Sequence, residues 1–70
     1  MRINFWQIFQ VHPEGSIEPL RRIRIGGVEF GPGVRFGRGV SISGLDLTQY
    51  VGRDFDTEEI GGILILKGIY

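Results

Sequence analysis

Apolar and polar positions alternate along much of this 70-residue chain, and the alternation predicts short strands. Met1 to Val11 is rich in β-formers, namely Phe5, Trp6, Ile8, Phe9 and Val11. As one strand it would carry Ile3, Phe5, Phe9 and Val11 on one face, with Gln7 among them, and Trp6 and Ile8 on the other. His12-Pro13-Glu14-Gly15-Ser16 predicts a turn. The chain resumes at Ile17, where Pro19 marks an edge or an irregular entry. Leu20 to Ile25 alternates again, with Arg21, Ile23 and Ile25 on one face and Leu20, Arg22 and Arg24 on the other, until Gly26-Gly27 breaks it. Ser43 followed by Asp46 has the form of a capping box, and Gly52 suits the position after a helix, so a short helix is predicted over 44–51. Gly52 to Gly62 reads as a polar connection or hairpin tip around Phe55. Ile63 to Ile69 is apolar on both faces and predicts a central strand.

Val28 to Ile42 is the irregular stretch. Val28, Phe30, Val34, Phe36, Val40 and Ile42 share one parity, and the other parity is mostly glycine, arginine and serine. Gly31-Pro32-Gly33 and Gly37-Arg38-Gly39 suit corners or bulges better than one continuous strand. The same residues also repeat with period six over Val28 to Leu45, and in this the stretch resembles the hexapeptide repeat of left-handed parallel β-helices. That resemblance spans about one coil, and about three repeat units are needed to bury a stacked core. Both patterns place the valines and phenylalanines inside and join them by glycine bends. The expected fold is one all-β domain over residues 1–70 with one short helix. It would be a small compact β-barrel or a strongly curved antiparallel sheet with glycine-rich bends.

Composition narrows the chemistry. The absence of cysteine excludes disulfides, thiolate metal sites and a cysteine nucleophile. A core this small without staples is marginal, and association is one remedy. Net charge is zero but unevenly spread: residues 1–40 carry +3 and residues 41–70 carry −3. No signal peptide is legible, and the apolar C-terminal run has about half the length of a membrane span. A soluble, intracellular protein without a membrane partner is expected.

Candidate functional groups are few. The glycines match neither a P-loop nor a dinucleotide fingerprint. His12, Glu14 and Ser16 contain the residue types of a relay, but a turn this tight cannot align three side chains. Asp54, Asp56 and Glu58 alternate onto one face of an extended segment and form a weak candidate for a cation, against a charged solvated tip. No cofactor and no enzymatic activity are expected. Two functions stand. A structural or interaction module would self-associate as a homo-oligomer through Phe5, Trp6, Phe9, Ile63, Ile65 and Ile69. Alternatively, a small barrel would bind single-stranded nucleic acid through Arg21, Arg22, Arg24, Arg35 and Arg38, with Trp6 as a stacking platform.

Overall fold

Asn4 turns the chain out of its first strand. In the computed structural model, which describes Met1–Tyr70, β1 spans Arg2–Asn4 and gives way to a one-turn helix α1 at Phe5–Ile8. Asn4 Oδ1 accepts the Trp6 N–H at 3.1 Å, and Gln7 Oε1 accepts the Asn4 N–H at 3.3 Å, a reciprocal cap. The expected single strand from Met1 to Val11 is therefore broken. The helical turn puts Phe5, Ile8 and Phe9 on one buried face at i, i+3 and i+4 and sends Trp6 outward. Strand geometry resumes as β2 (Phe9–Val11), which pairs antiparallel with β3 (Ile17–Pro19). Between them, the Gly15 N–H donates to the His12 carbonyl at 2.8 Å, with Pro13 in the second position of the turn.

The remaining strands are β4 (Ile23–Ile25), β5 (Val28–Phe30), β6 (Asp54–Ile60) and β7 (Ile63–Ile69). With β1 they form one five-stranded sheet in the order β1-β6-β7-β4-β5. Ile63–Ile69 is central, as its two-sided apolar pattern requires. The β6–β7 hairpin closes through Gly61-Gly62, both in the left-handed region at φ +58 and +81, which a two-residue turn of this kind demands. The protein is mostly β, but two finer expectations are corrected. The sheet is open, with β1 and β5 as edges, so no barrel closes. It is also mixed, because β4 runs parallel to β7.

One face of the sheet carries Ile23, Ile25, Phe30, Phe55, Leu64 and Leu66 into the core. Phe5, Ile8, Phe9, Ile17, Phe36 and Leu47 complete the same cluster. Ring centroids of Phe5 and Phe9 lie 5.0 Å apart, and Phe55 sits 6.5 and 6.3 Å from them. Phe30 and Phe36 meet edge to face at 4.7 Å. Phe55 thus belongs to a strand interior and not to a hairpin tip. A register shift on β7, where Asp56 pairs with Gly68 but Thr57 pairs with Leu66, leaves Lys67 unpaired. This bulge restores Ile69 to the core side.

The glycine stretch divides its apolar residues. Phe30 and Phe36 are buried, but Val28, Val34 and Val40 are exposed, contrary to the inward placement of all five. Only Val28–Phe30 is a strand, and Phe36 makes an isolated bridge to Ile17 through bonds of 2.9 and 3.0 Å. The predicted helix shrinks to a 3₁₀ turn at Leu47–Tyr50. Its cap is Asp46, which accepts the Thr48 N–H at 3.0 Å. Ser43 instead sits in a tight turn with Gly44, where Ile42 and Leu45 exchange bonds of 2.8 and 2.9 Å.

Candidate interaction surface

The second face of the sheet has no layer upon it. Alternation along β6 and β7 directs Asp54, Asp56, Glu58, Ile60, Ile63 and Ile65 away from the core. Ile60 stands directly opposite Ile63, and Ile65 lies between Glu58 on β6 and Arg24 on β4. The three isoleucines form an apolar stripe on a sheet face otherwise lined by charge.

Each carboxylate of that face has a cationic partner. Arg22 Nε and Arg24 donate to the two Glu29 carboxylate oxygens at 2.7 and 3.1 Å. Lys67 reaches Glu58 at 3.4 Å, Arg2 holds Asp54 at 2.8 Å, and the N-terminal ammonium lies 3.6 Å from Asp56. The Arg22 guanidinium, and after it Arg24, holds Glu29 below the usual carboxylate pKa. The Asn4 amide, and then Arg2, does the same for Asp54. Arg2 also lies over the Tyr70 ring, 4.2 Å from its centroid.

The sequence-chosen association residues separate. Phe5 and Phe9 are 0% and 1% exposed and are spent inside the chain. Trp6 is 53% exposed and rests its ring edge-on against Phe5. Ile63 and Ile65 lie together on the open face, whereas Ile69 packs against the core. The arginines separate as well. Arg22 and Arg24 converge on Glu29, and Arg21 leans to Glu59 at 3.2 Å. Arg35 lies 3.5 Å from both Glu14 and Glu18. Arg38 has no carboxylate within ion-pair distance. Phe30 and Phe36, interleaved with the arginines in sequence, are buried and present no ring to a base. Asp54, Asp56 and Glu58 share a face but turn to three different partners, and no three carboxylate or imidazole groups converge as a metal would need.

A second polar group centres on Glu18, which the alternation pattern did not single out. Glu18 accepts from the Gly33 N–H at 2.7 Å and from His12 Nε2 at 2.7 Å. The Gly33 N–H, followed by His12, holds its carboxyl below the ordinary value of 4.5. Ser16 donates to Glu14 and not to His12, so the three residue types of a relay are present without its connections. Glu18 ties the His12–Ser16 turn to the glycine bend. The Arg24–Glu29 pair was not singled out either, but a local signal for it exists. Reading Gly26-Gly27 as a two-residue hairpin turn fixes Ile25 opposite Val28 and Arg24 opposite Glu29, as observed.

No family model matches the chain, and comparisons with curated proteins and with solved structures find no match. No helix is long and apolar enough to cross a membrane.

Proposed function

We propose that this chain is a non-enzymatic interaction module that pairs with a second copy of itself through the open face of its sheet. The observation that carries this reading is the Ile60, Ile63 and Ile65 stripe framed by charges of both signs. Two such faces can pack about 10 Å apart, with the isoleucines interdigitating at the centre. A face carrying charges of both signs can be complementary to itself under a two-fold axis, because Arg24 or Lys67 of one copy can meet Glu58 or Glu29 of the other. The edges contribute less: β1 and β5 have three residues each, too short to template much strand addition. We take the module to act in solution inside the cell.

The nucleic-acid reading draws less support, since four of its five arginines already have carboxylate partners. Sedimentation equilibrium tests the self-pairing reading. The expected mass is about twice the 7.9 kDa of one chain, and Ile65→Glu is expected to restore the single-chain mass with an unchanged circular dichroism spectrum. A wild-type chain that stays a strict monomer at high micromolar concentration would overturn the reading.

A further inference from the structure

A cleft of 210 Å³ opens at the end of the sheet, where β4, β6 and β7 meet the turn around Ser43. Ile25, Leu47, Phe55 and Leu66 supply its apolar walls, and Ser43 and Gly26 stand at its polar end. Three departures from regular backbone meet at its rim. One is the β7 bulge at Lys67 and Gly68. The second is Gly26 at φ +59, and the third is Ser43 at φ +50, the one non-glycine residue in the left-handed region. Bulges and left-handed non-glycine residues both gather at binding sites.

Turn chemistry alone would favour asparagine where Ser43 stands. Serine brings a hydroxyl that donates to the Ile25 carbonyl at 2.9 Å. A Cβ on Gly26 would come within 2.5 Å of that hydroxyl oxygen, so glycine there keeps it uncovered. The hydroxyl has one hydrogen and has spent it on Ile25, so the oxygen can only accept from a ligand. Lys67 is turned to Glu58 and leaves no free cation for an anionic group. A dry apolar cavity of about 150 Å³ accommodates a benzene ring. The present volume fits one ring with a small substituent.

We propose that this cleft binds a small free phenol, with the ring against Phe55 and Leu66 and the phenolic O–H donated to Ser43 Oγ. The cleft uses none of the self-pairing isoleucines Ile60, Ile63 and Ile65 and shares with that face only Lys67 at its rim. The test is a ¹H–¹⁵N titration of the full chain with p-cresol and with its methyl ether, 4-methylanisole, which has no donor. Saturable shifts at Ser43, Leu45 and Gly68 are expected with p-cresol, and the ether is expected to bind roughly five- to tenfold more weakly. Ser43→Gly, which keeps the left-handed turn, is expected to reduce p-cresol to the level of the ether while β6 and β7 resonances stay in place. The proposal is overturned if p-cresol gives no saturable shift, if wild type binds both compounds equally, or if the preference survives in Ser43→Gly. Tighter binding of N-acetyltyrosinamide than of p-cresol would reassign the cleft to a protein side chain and equally overturn it.

Discussion

The β6–β7 hairpin and the segment from Gly31 to Asp46 both deliver side chains to one core, by different means. The hairpin pairs Asp54–Ile60 with Ile63–Ile69 along a ladder interrupted only by the bulge at Lys67 and sends Phe55, Thr57, Leu64 and Leu66 inward. The glycine segment has no ladder. Carboxylates clamp its backbone: Glu18 of β3 takes the Gly33 N–H, and Asp46 at the segment's own end takes the Gly39 N–H at 2.9 Å. The Ile17–Phe36 bridge adds one cross-chain pair. A ladder shares its load over many neutral amide bonds. A clamp concentrates it on single carboxylates, and that makes the two regions differ in what can undo them.

The largest effect expected is from truncating the aromatic anchors. Phe55→Ala removes a ring that touches both Phe5 and Phe9, and is expected to cost about 3–5 kcal/mol in urea unfolding, enough to unfold a marginal domain. Phe36→Ala is expected to cost less, because Phe36 packs against Phe30 alone among the aromatics and its segment is free to collapse onto the space. Equal costs would mean that the glycine segment is as rigid as the hairpin. A finer measurement compares two glycines with open space at their Cβ positions, Gly62 at φ +81 and Gly33 at φ +97. Gly62→Ala is expected to cost about 1–2 kcal/mol, since the ladder holds the left-handed conformation in place. Gly33→Ala is expected to cost less, measured by the same unfolding curve, because a segment pinned at single points can relax its dihedral angles.

The difference between these regions also explains what the sequence disclosed. The Ile63–Ile69 run was legible as central because its first four residues are apolar on both faces, although only Leu64 and Leu66 are buried. The first eleven residues misled, because Phe5 and Phe9 share a face in either geometry. The deciding residues were Asn4 and Gln7, whose spacing is that of a cap. In the glycine stretch the alternation correctly predicted Phe30 and Phe36 inside. It failed for the valines because a period of two holds only while a strand lasts, and here it lasts three residues. Of the candidate surface, Ile63 and Ile65 were found from pattern alone. Ile60 was missed although the Gly61-Gly62 turn sets it opposite Ile63; what no local window contains is the β4–β7 register that brings the two hairpins onto one face. The Glu18 clamp and the cleft at Ser43 join residues far apart in sequence, and single-residue chemistry gives neither away.

Acid distinguishes the two regions most directly, though its effect is the smallest in extent. Glu18 and Asp46 titrate below their ordinary values of 4.5 and 3.8. Gly33 is the first cause for Glu18, and for Asp46 the causes are the Thr48 hydroxyl and then Gly39. A carboxylate whose pKa is lowered by folding contributes its stability in full above the unfolded value and loses it as pH falls through the folded one. The loosening therefore begins below about pH 4.5 and deepens beneath pH 3.8. It reaches Gly33 and Gly39 first, because their amides bond to the carboxylates being protonated. Asp54 on β6 is also lowered, but its partners are the Asn4 and Arg2 side chains and not an amide of the hairpin ladder. Amide hydrogen exchange along a pH series is expected to show protection lost at Gly33 and Gly39 while β7 amides keep theirs. Glu18→Gln is expected to reproduce the loss at Gly33 at neutral pH and to leave Gly39 protected. A single midpoint shared by Gly33, Gly39 and the β7 amides would show that clamp and ladder open together, and the distinction between the two regions would then be one of bonding only.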